Sequence, residues 1–411
     1  MKGISVFFVM FFAFGMFSCK TVSRVPDSNV EGHYENFSEN EFKQYWFKQV
    51  LPAEYEPTQA VILNSELVFS FDKILLVKEI LNAGAEAWII SRDRNIKNQL
   101  ADAGLSPDEI SRIRIVPADV LTIWTRDYAP LTAIPKESSE KALRLIDINY
   151  YDRRPSDDFL PQSIAQDYQI SRISIPVYNE GGNIMCTNDK CFMTIRVTEA
   201  NSPQYTRKED VLSEDQIKDY YEKATSKKIT IMPRLPTEGT GHIDMWAKFM
   251  SDKDVVVNEV WDETMDYVKG EGHKKVLLDV KTFLDARAAD FTRMGYRVTR
   301  IPIPLPQLSD LSISERRYDD FRDGQGVFRS YTNGLILNGT YIIPRYKTLH
   351  GDGHGETGDY LDRDLTAKYE SAVTERLAAI GISKLGWIDS DDTIAIGGAV
   401  HCTTMQIPRA N

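Results

Sequence analysis

Nine residues before the end of the chain, Cys402 follows two glycines in Ile396-Gly397-Gly398-Ala399-Val400-His401-Cys402-Thr403-Thr404. Glycines permit close backbone approach and unusual dihedrals, and a thiolate is the strongest protein nucleophile near neutral pH. A buried structural cysteine is the competing reading. Gly241-His242-Ile243-Asp244 supplies a second set of groups. On a strand end, His242 and Asp244 would share a face, the imidazole moving protons and the carboxylate supporting it or binding substrate. Met245, Trp246 and Phe249 would wall the site. Trp124-Thr125-Arg126-Asp127-Tyr128-Ala129-Pro130 is the third set. A carboxylate grips a planar guanidinium through paired N–H donors, so Asp127 and Asp244 together could orient one and leave its central carbon open. Trp124 could lie along an aliphatic stem. Arg126 reads as structural. Asn333, in Tyr331-Thr332-Asn333-Gly334, could orient a reacting group or cap a strand. Asn179-Glu180-Gly181-Gly182-Asn183 has the small residues of a tight turn, with Glu180 a candidate substrate-binding carboxylate.

The elements that must carry these residues are short strands and longer helices. Ala60–Leu63, Ala87–Ile90, Ile113–Val116, Leu145–Ile148, Ile229–Met232, Val255–Val257, Arg297–Ile301, Gly334–Leu337 and Tyr341–Ile343 read as strands, being brief and rich in Val, Ile and Tyr. Helical spacing covers Phe71–Ala83, with Asp72 as cap, and Val276–Met294 and Leu365–Ile380, closed by Gly295 and Gly381. Trp246-Ala247-Lys248-Phe249 is helix-like, and Asn338-Gly339 signals a type I′ hairpin turn. A strand running into Pro or Asp and then a polar loop recurs at Pro117, Pro176, Pro233, Pro302 and Asp389, roughly 55 to 90 residues apart, as a ring of similar units would require. Loops from such units would converge on one central site, as in propellers.

Six segments in order resemble the agmatine deiminase and bacterial peptidylarginine deiminase family of the guanidine-modifying (pentein) superfamily. They are Leu51-Pro52-Ala53-Glu54-Tyr55-Glu56-Pro57, Trp124-Thr125-Arg126-Asp127, Glu180-Gly181-Gly182-Asn183, Gly241-His242-Ile243-Asp244, Tyr331-Thr332-Asn333 and Gly397-Gly398-Ala399-Val400-His401-Cys402. The resemblance runs from Leu51 to the C-terminus. It implies an α/β fold, the fivefold pseudo-symmetric propeller, in a single large domain over residues 46–411. It implies Cys402 as nucleophile, His242 as general acid/base, and Asp127 and Asp244 as guanidinium binders. The reaction implied is hydrolysis to a ureido product and ammonia through a covalent thiouronium, with no cofactor and no metal. The same intermediate permits amidino transfer to an amine. A guanidinium-binding surface lipoprotein without turnover is a further reading. Tyr151-Asp152-Arg153-Arg154-Pro155-Ser156-Asp157-Asp158 resembles a loop that reads the carboxylate of a C-terminal arginine in the peptidylarginine branch, with Arg154 as the matching residue; otherwise it is a solvated charge cluster.

The chain has 411 residues, of which 42% are hydrophobic and 27% charged, a globular balance. Its net charge of −11 argues against nucleic acid as a partner and suits a cationic one. Lys2, the apolar run from Ile4 to Phe17 and Ser18-Cys19-Lys20 read as a secretory signal, and the Met16-Phe17-Ser18-Cys19 end resembles a bacterial lipoprotein signal over residues 1–19, with Cys19 lipidated and the protein exported to a bacterial cell envelope; plain secretion and a short anchor helix are the alternatives. Residues 20–45 read as a polar tether. Cys186 and Cys191 flank a turn-like run and form either a hairpin disulfide or two small buried residues. His350-Gly351-Asp352-Gly353-His354-Gly355-Glu356 is spaced like a metal loop, yet its glycines favour a mobile insertion. No extra C-terminal domain is expected past Asn411.

Overall fold

The computed structural model describes residues 39–137, 142–308, 326–348 and 358–410. The signal segment, Cys19 and the His350–Glu356 loop lie outside them. The folded body begins before the expected boundary at 46, because the helix Glu39–Lys43 buries Phe42 against Tyr220.

Among the described residues one supersecondary unit recurs five times. An antiparallel pair is followed by a helical crossover to a strand parallel to its second member. The second unit is Leu131–Pro135, Arg144–Asn149 and Ser171–Tyr178. The third is Met185–Cys186, Lys190–Thr194 and Lys228–Met232. The fourth is Ala247–Phe249, Asp254–Glu259 and Arg297–Pro302. The fifth is Leu335–Leu337, Thr340–Arg345 and Lys384–Asp389. The first unit joins the two ends of the fold. Met405–Pro408 pairs antiparallel with Thr58–Asn64, which pairs in parallel with Glu86–Ile90, and Ile113–Val116 adds a further parallel strand. Pro117, Pro176, Pro233, Pro302 and Asp389 therefore mark the last strand of each unit, and the mixed α/β fold with its repeated units and end-to-end closure is consistent with the propeller that the resemblance implied.

Burial accounts for the sequence character of these strands. Thr58–Asn64 and Asp254–Glu259 are buried along nearly their whole length, so their centres, Ala60–Leu63 and Val255–Val257, are unbroken apolar runs. Glu271–Arg293 turns Val276, Val280, Leu284, Ala288 and Phe291 inward at helical spacing, and Arg363–Ala379 does so with Leu365, Tyr369, Val373 and Leu377. Ser213 and Gln216 form a capping box on Glu214–Thr225. Phe291 lies at the centre of an aromatic cluster with Phe192, Trp246, Phe249 and Tyr296.

Several local expectations change. Asp72 does not cap the first long helix: it has φ +50°, and the helix Ile74–Asn82 starts after Lys73 without a side-chain cap. Trp246-Ala247-Lys248-Phe249 is not helical, since Ala247–Phe249 is a strand paired with Val255–Val257. Gly241-His242-Ile243-Asp244 is not a strand end but the entry to a 3-10 turn over Ile243–Met245, so alternation does not place His242 and Asp244. Gly295, Gly381 and the Asn338-Gly339 turn do adopt the positive φ expected of them. Cys186 and Cys191 face each other across the third unit's hairpin and are disulfide-bonded.

Candidate active site

Each inter-unit connection leaves the carboxyl end of a parallel strand, where α/β sheets gather ligands. The five connections carry all but one of the expected site residues. After Ile113–Val116 comes the short helix Thr125–Tyr128, preceded by Trp124 and holding Asp127. After Ser171–Tyr178 come Glu180 and the 3-10 turn Gly181–Asn183. After Lys228–Met232 come His242 and Asp244, and before Leu335–Leu337 comes Asn333. After Lys384–Asp389 come His401 and Cys402. Arg154 is the exception, lying inside the second unit at the start of its helical crossover.

Asn333 ties the nucleophile loop to the rest. Its side-chain oxygen accepts from the backbone N–H groups of Ala399 at 3.0 Å and Cys402 at 3.4 Å. Its amide nitrogen lies 2.9 Å from Asp244 Oδ2 and 3.1 Å from Cys402 Sγ. Cys402 and Trp124 both press on Gly398: a Cβ there would lie 2.8 Å from Cys402 Sγ and 2.8 Å from Trp124 Cζ3, so the close approach requires glycine. Cys402 is 2% exposed and Trp124 8%.

His242 is buried, with Nε2 2.8 Å from Glu180 Oε2 and Nδ1 3.9 Å from Asp127 Oδ1. Glu180 Oε1 accepts from Tyr151 Oη at 2.6 Å. Both Glu180 oxygens thus have partners within the protein, and one of these partners is His242. A Cβ on Gly182 would fall 2.7 Å from His242 Nδ1, 3.1 Å from Asp127 Oδ1 and 3.1 Å from Asp244 Oδ2. Three functional groups therefore face one point from which a side chain is excluded. His242 Nδ1 and Asp244 Oδ1 are buried without a hydrogen-bond partner among the described residues. Such atoms are costly unless a ligand completes them.

The electrostatics divide the carboxylates. Burial pushes Asp127 up to about 7, reinforced by Glu180 and Asp244 and opposed by His242. Burial also opposes ionisation of Glu180, but His242 and Arg196 bring it down to about 2. Burial would lower His242, yet Glu180 and Asp127 raise it to about 10. Asp244 is held below its usual range despite burial, chiefly by His401. Burial, Asp244 and Asp127 push the Cys402 thiol well up, with Asn333 pulling the other way. The protonated His242 can give a proton, and the thiol needs added positive charge beside it to ionise.

Three features were not assigned roles from sequence. Glu54 lies between His401 Nε2 at 2.8 Å, Arg126 Nη1 at 3.0 Å and Lys248 Nζ at 2.9 Å. His401 Nδ1 is 2.6 Å from Asp244 Oδ2. Tyr151 supports Glu180. Their signals were present as the Leu51–Pro57 segment, a His beside the Cys, and a Tyr beside the basic loop, but none declares a partner. Arg154 stands one layer out, donating to Tyr150 Oη at 2.6 Å and stacking over Tyr150 and Tyr151. Arg126 is structural as read, buried against Glu54 and donating from its backbone to Cys402 O. Among the described residues no cluster of metal-ligating side chains occurs.

A buried thiol, a protonated imidazole and paired carboxylates at the hub of five ββαβ units define a class of hydrolases acting on C–N bonds of linear amidines. The chain belongs to the Porphyromonas-type peptidyl-arginine deiminase family, whose model matches residues 71–408. A Vibrio parahaemolyticus protein assigned as an agmatine deiminase is 24% identical over 326 residues, covering 72% of this chain and 79% of its own. The fold matches the solved agmatine deiminase of Enterococcus faecalis with TM-score 0.65 at 16% identity, over 89% of this chain and 97% of that one. It also matches an agmatine deiminase of C. jejuni, solved as a variant with substrate bound, with TM-score 0.62 at 16% identity, over 88% and 96% of the two chains.

Proposed function

We propose that the protein hydrolyses the guanidinium group of an arginine-derived substrate, releasing ammonia and a ureido product through a covalent intermediate on Cys402. The observation that carries this is the meeting of Asp244, Asp127 and His242 where Gly182 admits no side chain, with Cys402 Sγ 3.6 Å from Asp244 Oδ2 and Asp244 Oδ1 buried without a partner among the described residues. Asp127 and Asp244 take the cation's N–H donors, and Trp124 flanks its stem. The bound charge draws the thiol proton off to solvent. Cys402 Sγ then bonds to the guanidinium carbon while His242 protonates the departing nitrogen, and the C–N bond breaks. The neutral His242 next takes a proton from water. The hydroxide so formed adds to the same carbon, and the C–S bond breaks to return the thiol.

Relatives named for agmatine and a family named for peptidyl-arginine set the substrates to test. Ammonia and ureido-product release are measured with agmatine, free arginine and arginine-ended peptides. Turnover of at least one, abolished in Cys402→Ala, is the expected result. Inactivity on all three, or an active Cys402→Ala protein, overturns the reading. The proposal includes export and lipid anchoring at Cys19, which the disulfide in the third unit supports because such bonds persist in oxidising compartments. Metabolic labelling with a radioactive fatty acid tests it: label retained after Cys19→Ala counts against the anchor.

A further inference from the structure

His401 neighbours the nucleophile in sequence but has no part in the reaction proposed above. Its ring is completely buried, and both nitrogens face carboxylates. Nδ1 lies 2.6 Å from Asp244 Oδ2, and Nε2 lies 2.8 and 3.0 Å from the two oxygens of Glu54. A neutral imidazole carries one N–H and one lone pair, so one of these contacts would set a lone pair against a carboxylate oxygen. Both ring nitrogens are held at hydrogen-bonding distance from carboxylates, one on each side of the ring. Glu54 is itself held by Arg126 Nη1 and Lys248 Nζ, while Arg126 Nε reaches the His401 carbonyl at 3.4 Å. Burial works against ionisation of Glu54, but His401, Lys248 and Arg126 keep it well below the usual carboxylate range. The row Lys248 and Arg126, Glu54, His401, Asp244 is thus continuous and reaches the active site through the Asp244 carboxylate.

Asp244 Oδ2 accepts from both His401 and Asn333, which fixes the plane of its carboxylate. We propose that His401 is a positioning residue that locks Asp244 between Glu54 and the active site, fixing the plane in which its carboxylate meets the substrate cation. The inference rests on the guanidinium reading and adds a residue to it. It assigns His401 to cation binding and leaves the chemistry at sulfur to Cys402 and His242.

The test uses a cation that labels the thiol without needing turnover. Chloroacetamidine carries an amidinium shaped like the reacting end of a guanidinium. Attack by Cys402 forms an S–C bond, chloride leaves, and the thiol proton goes to solvent. Chloroacetamide is the neutral comparison. Saturation kinetics separate the binding constant from the maximal labelling rate. Asparagine at 401 places an amide N–H near the Nδ1 position and can still donate to Asp244, whereas glutamine places it near Nε2 and can serve only Glu54. For His401→Gln the binding constant for chloroacetamidine is expected to weaken by about tenfold to a hundredfold, as loss of a buried bond to a charged group would give. The maximal rate and the chloroacetamide values are expected to hold, and His401→Asn to retain most of the preference for the cation. An unchanged cation preference in His401→Gln overturns the proposal, as does equal damage in Gln and Asn variants. Glu54→Gln keeps the imidazole but removes the charge behind it. A weaker effect in the same direction is expected, and no change in the amidinium binding constant also overturns the proposal, even if His401→Gln does not fold. If the wild type itself labels no faster with the amidinium than with the amide, the guanidinium reading has failed rather than the role of His401.

Discussion

Asp127 is the carboxylate most exposed to a pH argument. Its carboxyl is pushed up to about 7 by burial and by Glu180 and Asp244, so near neutrality about half of it is protonated in the free protein. A bound guanidinium favours the carboxylate and drives its proton off. Binding therefore tightens as pH rises through about 7 and levels above it. Calorimetry of agmatine or arginine binding to Cys402→Ser, in buffers of different ionisation enthalpy, is expected to show proton release below about pH 7 that fades at higher pH. Proton uptake would contradict the assignment. Gly182 gives a steric counterpart. Its Cβ would sit 2.7 Å from His242 Nδ1, in the space shared with both Asp side chains. Gly182→Ala is expected to lower kcat/KM about a hundredfold, the scale of a misplacement of about 1 Å, with melting behaviour little changed.

The loops that hold these residues depend on how well each unit is fixed beneath them. In the third unit the Cys186–Cys191 bond closes a hairpin adjoining the Glu180–Asn183 turn. Its removal in a Cys186→Ser, Cys191→Ser protein is expected to cost about 2 kcal/mol by the loop-entropy relation for so short a loop. Denaturant titration would measure this. In the fourth unit Phe291 fixes the long helix on its sheet through an aromatic cluster. Phe291→Ala is expected to cost about 3–5 kcal/mol, with the loss falling on stability and the labelling of Cys402 retained. These elements also show what could be read in advance. Ile113–Val116 matches its expected bounds, and Leu145–Ile148 and Arg297–Ile301 lie within one residue of theirs, because short runs rich in β-branched residues declare a strand whether it is buried, as Leu145–Ile148 is, or partly exposed, as the other two are. The stretch around Trp246 and the His242–Asp244 turn depart from expectation because short segments take their conformation from tertiary pairing rather than local propensity.

Closure joins the five units into one molecule. Met405–Pro408 lies three residues past Cys402, is buried throughout, and pairs with Thr58–Asn64 while Arg409 N donates to Pro57 O. Deleting residues 405–411 would leave Thr58–Asn64 as an apolar edge and release the nucleophile loop. The expected outcome is loss of the cooperative unfolding transition, seen by circular dichroism, together with aggregation on size exclusion. A monomeric truncated protein with an intact transition would show that the ring does not need its closing strand. The sequence by itself determined the chemical inventory: a thiol after two glycines, an imidazole, carboxylates suited to a guanidinium, and repeated strands whose loops could carry them. Only the tertiary structure decided the partnerships. His401 meets Asp244 across 157 residues and Glu54 across 347, and Glu180 turns to His242 rather than outward. Residue types and local periodicity record which groups are present. Which carboxylate neutralises which imidazole is set by ring closure, a property of all five units at once.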